Sequence, residues 1–188
     1  MRIIGGKYKG QRLHTPKGDN TRPTSDQIRE SIFNVLAHGI GIDFKEMIAL
    51  DLFAGSGALG FEAFSRGAKK ITFFEKATPA IQSIKINGKK FKENHWFSIC
   101  QRDASFLPAR SHREDPGDLV FLDPPYRKDL ITPTLMTLRQ GDWLKVGAVL
   151  VAEMAIKDHY GLNTHYSLTS ERIYGNTKVA FISYNGVN

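Results

Sequence analysis

The stretch IALDLFAGSGALG, residues 48–60, decides the fold class of this chain. It opens with a short apolar run of the length of a buried strand and passes directly into a glycine-rich turn. Residues 58–65 then have the composition of a helix, and KITFFE at residues 70–75 forms a second apolar run. A strand, a helix and a second strand in this order are typical of a βαβ unit. We therefore predict an α/β protein with a parallel sheet.

The rest of the chain continues this alternation. We predict helices over residues 78–93 and 130–138, and strands over residues 96–101, 118–123, 148–153, 167–174 and 178–184. Another helix is predicted before the first strand, capped by Thr24 or Ser25 and apolar at helical spacing through Leu36. With 188 residues and neither an internal repeat nor a linker, the chain suits one α/β domain with a single core.

Positive charge is concentrated at the start of the chain. Lys and Arg number 26 against 19 Asp and Glu, a formal net charge of +7, and residues 1–22 hold six of the cations and only one acidic residue. Glycines separate short β-prone pieces there, so we predict a basic, hairpin-like arm over residues 1–22 and a main domain over residues 23–188. Such an arm favours a polyanionic partner, because cations bound to phosphates release counterions. A solvated extension is the alternative.

The sequence lacks the features of several protein classes. The lone Cys100 allows neither an intramolecular disulfide nor a cysteine zinc cluster. The six histidines show no paired spacing, so we predict no metal site. No run of 18 apolar residues occurs, and the start has no apolar segment of signal-peptide length. We expect a cytoplasmic protein that does not contact a membrane.

The glycine-rich turn predicts a ligand-binding loop, because glycine permits positive φ and lets a ligand approach the backbone. Gly55, Gly57 and Gly60 fit the pattern G-x-G-x-x-G, and Glu75 at the second strand end is suited to bind a ribose hydroxyl. A nicotinamide-dependent dehydrogenase is therefore one reading. Asp51 favours another, because its carboxylate repels a pyrophosphate and attracts a cationic amino-acid moiety. S-adenosylmethionine carries such a moiety and no phosphate.

Asp103 follows the predicted strand at residues 96–101. A carboxylate there lies at the edge of the sheet where ligands of open α/β folds bind, and it can accept a hydrogen bond from an adenine amino group. Capping of a following short helix is an equally good interpretation.

The most specific segment is Asp123-Pro124-Pro125-Tyr126, at the end of a strongly apolar strand. The lone pair of an exocyclic amine on a base is delocalised into the ring. Two acceptors, the Asp123 carboxylate and the Pro124 carbonyl, can bind its two N–H groups and favour a pyramidal nitrogen. The prolines fix the local φ, and the ring of Tyr126 offers a surface for an extruded base. On this reading the Tyr126 ring matters and its hydroxyl does not.

Together these segments resemble the class I, Rossmann-like methyltransferases. The resemblance implies a seven-stranded, mostly parallel sheet with helices on both faces, a last strand that is antiparallel, and S-adenosyl-L-methionine as cofactor. It assigns cofactor binding to these residues: Asp51, Phe53, Ala54, Gly55, Gly57, Glu75, Lys76, Asp103 and Ala104. The motif Asp123 to Tyr126 corresponds to the D-P-P-Y sequence of amino-methylating enzymes.

The resemblance extends to one family. Residues 2–10, the segment RPTSDQIRESIFNVL at residues 22–36, and Tyr174 to Thr177 are similar to the bacterial 16S rRNA guanine-N2 methyltransferases, although Gln27 stands where arginine is usual. The implied substrate is a guanine in 16S rRNA of the small ribosomal subunit. We accordingly predict RNA contacts by the following cations: Arg2, Lys7, Lys9, Arg12, Lys17, Arg22, Arg29 and Arg127.

Two alternatives share this pattern. A DNA adenine-N6 or cytosine-N4 methyltransferase would use the same D-P-P-Y chemistry, but it usually needs a target-recognition region for which this chain has little length. A non-catalytic RNA-binding assembly factor could use the same fold, although an intact Gly55, Glu75 and Asp123 argue against it.

Overall fold

The structure is a computed structural model that describes residues 1–15, 25–93, 95–126 and 128–186. Its elements are α1 (Asp26–Asn34), a π-helical segment (Val35–Ile40), β1 (Ile48–Leu52), α2 (Ala58–Ser65), β2 (Lys70–Phe74), α3 (Thr78–Gly88), β3 (Phe97–Cys100), β4 (Gly117–Leu122), α4 (Ile131–Gln140), β5 (Leu144–Ala155), β6 (Tyr166–Tyr174) and β7 (Thr177–Tyr184). Every helix and strand predicted from the sequence has a counterpart among these elements.

The seven strands form one sheet in the order β3-β2-β1-β4-β5-β7-β6. Strands β1 to β5 pair in parallel, whereas β7 runs antiparallel to both of its neighbours, β5 and β6. The predicted seven-stranded, mostly parallel sheet with an antiparallel last strand is confirmed.

Helices cover both faces of this sheet, as predicted. Strand β4 shows the alternation: Leu119 and Phe121 face a core formed with α1, α2 and α3, while Val120 and Leu122 face a second core formed with α4. All four side chains are fully buried, and burial of each contributes about 1.5–3 kcal/mol. A strand that is apolar on both faces is what a parallel sheet between two helical layers requires.

The helix ends have local causes. The Ser25 hydroxyl caps α1 by accepting from the Ile28 N–H at 3.1 Å, whereas Thr24 lies outside the described residues. Helix α3 ends at Gly88 rather than at residue 93. At Gly88 the ring of Phe97 occupies the space that a Cβ would fill, and the chain then turns so that Phe91 enters the core.

The first 15 residues pack against the domain. Arg2 and Arg12 form an antiparallel bridge, which fits the predicted hairpin-like arm, and Ile3 and Leu13 are buried in the core. The buried Glu62 of α2 accepts from the backbone N–H groups of residues 4 and 5 at 2.7 and 2.8 Å. The described part of the arm is therefore attached to α2. In the described ranges, no helix has the length and apolar character needed to span a membrane.

Candidate active site

The four strands β1 to β4 run in one direction and end at a common edge of the sheet. They end at Leu52, Phe74, Cys100 and Leu122, which are in register across the sheet. Neighbouring strands lie about 4.8 Å apart, so the residues that follow these ends line one continuous edge. The chain order reverses at β1, which lies between β2 and β4, and ligands of open α/β sheets bind at such a switch point.

The loop after β1 has an unusual backbone. Phe53, Gly55 and Gly57 all have positive φ, at 59°, 54° and 80°. A non-glycine residue in this region carries strain of order 1–3 kcal/mol that the surrounding structure must offset, and such residues cluster at ligand sites. A Cβ at Gly55 would have no atom within 4 Å, whereas one at Gly57 would collide with Phe61. The loop is thus packed beneath Gly57 and leaves space above Gly55.

Asp51 lies beneath this loop and is 2% exposed. Its carboxylate accepts from the backbone N–H of Gly60, the third residue of α2, at 2.9 Å. Burial raises the pKa of Asp51 to about 8, and the charge of Glu75 adds to this rise, while the bond from Gly60 opposes it. The structure thus gives Asp51 a loop-fixing contact, and the predicted contact with a cationic ligand stays a prediction.

Glu75 connects the end of β2 to the loop after β1. One carboxylate oxygen accepts from the Gly55 N–H at 2.9 Å, and the other accepts from the N–H groups of Lys76 and Ala77 at 2.8 Å each. The side chain is half-buried and lies beside the open space over Gly55. This position suits a carboxylate that binds ribose hydroxyls.

Asp103 lies beyond the end of β3. It accepts from Lys76 Nζ at 2.7 Å and from the hydroxyl and backbone N–H of Ser105. The bond from Lys76 is the main reason why the pKa of Asp103 falls to about 2. The bonds to Ser105 support the capping interpretation, and the position beside Glu75 and Lys76 is compatible with the ligand interpretation too. Ala104, the next residue, is buried in the core.

The residues of the Asp123–Tyr126 motif, at the end of β4, differ from one another in burial. Asp123 is half-buried, Pro124 is buried and Pro125 is exposed. The Tyr126 hydroxyl donates to Glu153 at 3.0 Å and lies 3.1 Å from the Thr177 hydroxyl. Burial is the main cause that raises the pKa of Tyr126 to about 12.

Sequence reasoning did not identify Glu153 or Thr177 as site residues. The sequence predicts Glu153 only as the last residue of a strand. A signal was present, because a carboxylate inside the apolar run VLVAEMA at residues 149–155 is costly to bury without partners. Thr177 gave no such signal, since its position depends on the pairing of β7 with β5.

Of the eight cations predicted to contact RNA, four are exposed, three lie outside the described residues and one, Arg29, is buried. Arg2, Lys7, Lys9 and Arg12 are exposed, which leaves their predicted role open. Lys17, Arg22 and Arg127 lie outside the described residues.

The prediction is wrong at Arg29, which is 0% exposed. Its guanidinium donates to the Arg2 carbonyl and to Asp26, at 2.8 Å each, so it holds α1 against the N-terminal segment and is inaccessible to RNA. The helical pattern placed Arg29 beside the apolar stripe of α1, where a paired cation can be buried.

The opposite edge of the sheet also carries a cavity, of about 690 Å³. Its polar walls include the ion pairs Lys69–Glu46 and Lys70–Asp115 and the side chain of Lys145. Because it opens at the amino ends of the strands, it lies away from the residues described above. Within the described ranges, no group of three potential metal ligands comes together, and the prediction of a metal-free protein stays a prediction.

Comparison with known proteins identifies relatives over the whole chain. A family model described as conserved hypothetical protein 95 matches residues 1–183. The chain is 36% identical to Ribosomal RNA small subunit methyltransferase D of Escherichia coli over 187 residues, 98% of this chain and 89% of that protein. It is also 36% identical to YlbH of Bacillus subtilis, described as a candidate rRNA methyltransferase, over 99% of this chain and 100% of that protein.

A solved structure agrees with these sequence relatives. The Escherichia coli protein yhhF, described as a candidate methyltransferase, matches with a TM-score of 0.85 at 30% identity and covers 100% of this chain and 99% of its own. The descriptions of these three proteins all name a methyltransferase.

Proposed function

The chain belongs to the family described as conserved hypothetical protein 95 and is a methyltransferase with a Rossmann-like fold, and from this premise we propose that it methylates a guanine of 16S rRNA. The methyl group comes from S-adenosyl-L-methionine, the acceptor is the exocyclic N2 nitrogen, and the substrate is the small ribosomal subunit or its rRNA. One observation carries the proposal: the Asp123–Tyr126 motif follows β4, next to the β1 loop that Asp51 and Glu75 hold in place.

The residues around the β1 loop fit the proposed cofactor. Backbone at Gly55 is open to a ligand, and Glu75 beside it offers carboxylate oxygens to ribose hydroxyls. Asp103, held by Lys76, offers an acceptor to the adenine amino group at the next strand end. The main-chain segment from Phe53 to Gly57 would contact the methionine moiety. When bound, this cofactor supplies an electrophilic methyl group on a sulfonium.

Asp123 and Pro124 act on the acceptor amine in this proposal. Their carboxylate and carbonyl oxygens accept the two N–H groups of N2, so that the nitrogen lone pair points away from them and toward the methyl donor. The nitrogen becomes acidic as the new bond forms, and Asp123 can take the released proton late. The ring of Tyr126 stacks on the extruded base.

The RNA itself is bound by the exposed cations of the N-terminal segment. Arg2, Lys7, Lys9 and Arg12 contact phosphates and position the rRNA without reading its bases. A ribosomal substrate makes the cytoplasm the place where the protein acts.

The test is methylation of small subunits that lack the modification. Purified protein and methyl-labelled cofactor are incubated with such subunits, with protein-free 16S rRNA and with duplex DNA, and the labelled nucleotide is mapped. We expect one labelled guanine carrying the methyl group on N2. Label in the DNA alone would favour the DNA amino-methyltransferase alternative, and no label in any nucleic acid would favour the non-catalytic assembly factor.

A further inference from the structure

The hydroxyl of Tyr126 is enclosed by buried polar groups that have no role in the chemistry proposed above. It donates to Glu153 Oε1 at 3.0 Å and lies 3.1 Å from Thr177 Oγ1. Glu153 is 4% exposed and Thr177 is 2% exposed. A half-buried ring in a loop is thus attached at its far end to two buried side chains.

Strand pairing brings these two partners to the motif. Leu122, the last residue of β4, pairs with Ala152 of β5, so Glu153 lies one residue further along the same edge as Asp123. Strand β7 pairs antiparallel with β5, and its first residue, Thr177, pairs with Ala155. The Tyr126 hydroxyl is therefore held by side chains from two paired strands of the sheet.

The negative charge of Glu153 also acts on the buried Arg29 of α1. Burial lowers the pKa of the Arg29 guanidinium, and the negative charges of Asp26, Glu62 and Glu153 oppose this shift. Arg29 is fixed in turn by the Arg2 carbonyl and by Asp26. Glu153 thus has a buried counter-charge, which compensates part of the cost of burying its carboxylate.

We propose that Glu153 and Thr177 are positioning residues for the target base: by holding the Tyr126 hydroxyl, they fix the plane of the ring on which the base stacks. This inference rests on the proposed function, because it requires a flipped base as ligand. A ring already held in its binding orientation loses little rotamer freedom when the base arrives, so binding is tighter. The hydroxyl then contributes to base capture, in contrast to the expectation from sequence that only the ring matters.

The experiment compares Tyr126→Phe, Glu153→Ala and the double variant in methylation of unmodified small subunits. Tyr126→Phe keeps the ring and removes the hydroxyl contacts with Glu153 and Thr177, and it should raise KM for the subunit about three- to tenfold, the size expected when hydrogen bonds of modest net strength are lost. We expect kcat at saturating subunit and the calorimetric cofactor affinity to stay unchanged. The double variant should be no worse than Tyr126→Phe, because Tyr126→Phe already removes the contact that Glu153→Ala breaks. Glu153→Gln, whose amide oxygen still accepts, should restore most of the affinity.

A matched control lies elsewhere in the fold. The Tyr160 hydroxyl donates to Glu171 at 2.9 Å, so Tyr160→Phe makes the same chemical change at a tyrosine outside the motif and should leave KM unaltered. Should Glu153→Ala fail to fold, Tyr126→Phe and Glu153→Gln still decide the question. If the wild-type protein methylates rRNA and Tyr126→Phe changes only kcat, only the melting temperature or nothing, the inference is overturned. If the wild-type protein methylates no rRNA, the proposed function fails instead.

Discussion

Asp51 is a buried carboxyl group whose pKa of about 8 lies above its ordinary value of 3.8. Between these two values the unfolded chain has lost the proton while the folded protein still holds it. Raising the pH therefore favours unfolding, and the free energy of unfolding falls by up to about 1.4 kcal/mol per pH unit across this window.

We predict that Asp51→Asn flattens this pH dependence. The asparagine amide oxygen can still accept from the Gly60 N–H, but the side chain no longer titrates. Urea unfolding at intervals from pH 5 to pH 8 measures the slope for both proteins. An unchanged slope in Asp51→Asn would mean that Asp51 is ionised throughout this range.

Glu75 offers a test of the cofactor site alone. If Glu75 binds the ribose hydroxyls as proposed, replacing it with alanine removes their acceptors and should weaken binding of S-adenosylhomocysteine by roughly tenfold to a hundredfold, as loss of charge-assisted hydrogen bonds does. Titration calorimetry measures the affinity, with NAD as a second ligand to test the dehydrogenase reading. Equal affinity in the variant would remove Glu75 from the site.

Asp123 offers the corresponding test of the acceptor amine. Asp123→Ala should lower single-turnover methyl transfer by on the order of a hundredfold or more, because it removes the electrostatic contact that we propose for the transition state. Cofactor affinity should stay the same. Asp123→Asn keeps one acceptor oxygen, so its rate of methyl transfer should lie between those of the wild-type protein and Asp123→Ala. A loss of cofactor binding as large as the loss of rate would instead place Asp123 in the cofactor pocket.

At the scale of elements, the N-terminal segment combines groups that pack on the domain with charged side chains that are exposed. Its backbone is bonded to Glu62 and its apolar residues are buried, so deletion would damage the domain. The side chains of Lys9 and Arg12 are exposed and can be changed without disturbing that packing.

We predict that Lys9→Ala combined with Arg12→Ala weakens RNA binding and reduces the steepness of its salt dependence. Two lost phosphate contacts should lower the slope of log affinity against log salt by about 2. Lys69→Ala combined with Lys145→Ala removes the same charge from the opposite edge of the sheet and serves as the control. Equal slopes for the two double variants, measured by fluorescence titration with rRNA fragments, would show that only net charge matters.

At the scale of the whole molecule, the sequence predicted most of the fold because its signals are local. Apolar runs such as residues 118–123 and the cap at Ser25 are written in neighbouring residues. The grouping of Glu75, Asp103 and Asp123 could also be predicted, because each follows a strand and parallel strands end at one edge of the sheet.

What the sequence could not predict depends on contacts between distant segments. The sequence predicts an RNA contact at Arg29, because a cation on a helix gives no local sign that its guanidinium will be buried against the carbonyl of Arg2, 27 residues earlier. The pairing of Tyr126 with Glu153 and Thr177 spans 27 and 51 residues, and it follows from how β4, β5 and β7 align. Contacts of this kind, between residues far apart in the chain, leave no signal of the partner in the neighbouring sequence.

The insertion of β7 between β5 and β6 has a consequence for the order in which the molecule is assembled. During synthesis β6 emerges before the strand that will join it to the sheet, so until residues 177–184 follow, both β6 and the free side of β5 present unpaired backbone groups. Such edges are prone to pair with other chains until β7 has been synthesised and pairs with them. Thr177 begins that joining strand, so the Tyr126 anchor is completed by the step that closes the sheet. A partly assembled molecule therefore lacks one of the two contacts that we propose to orient the Tyr126 ring.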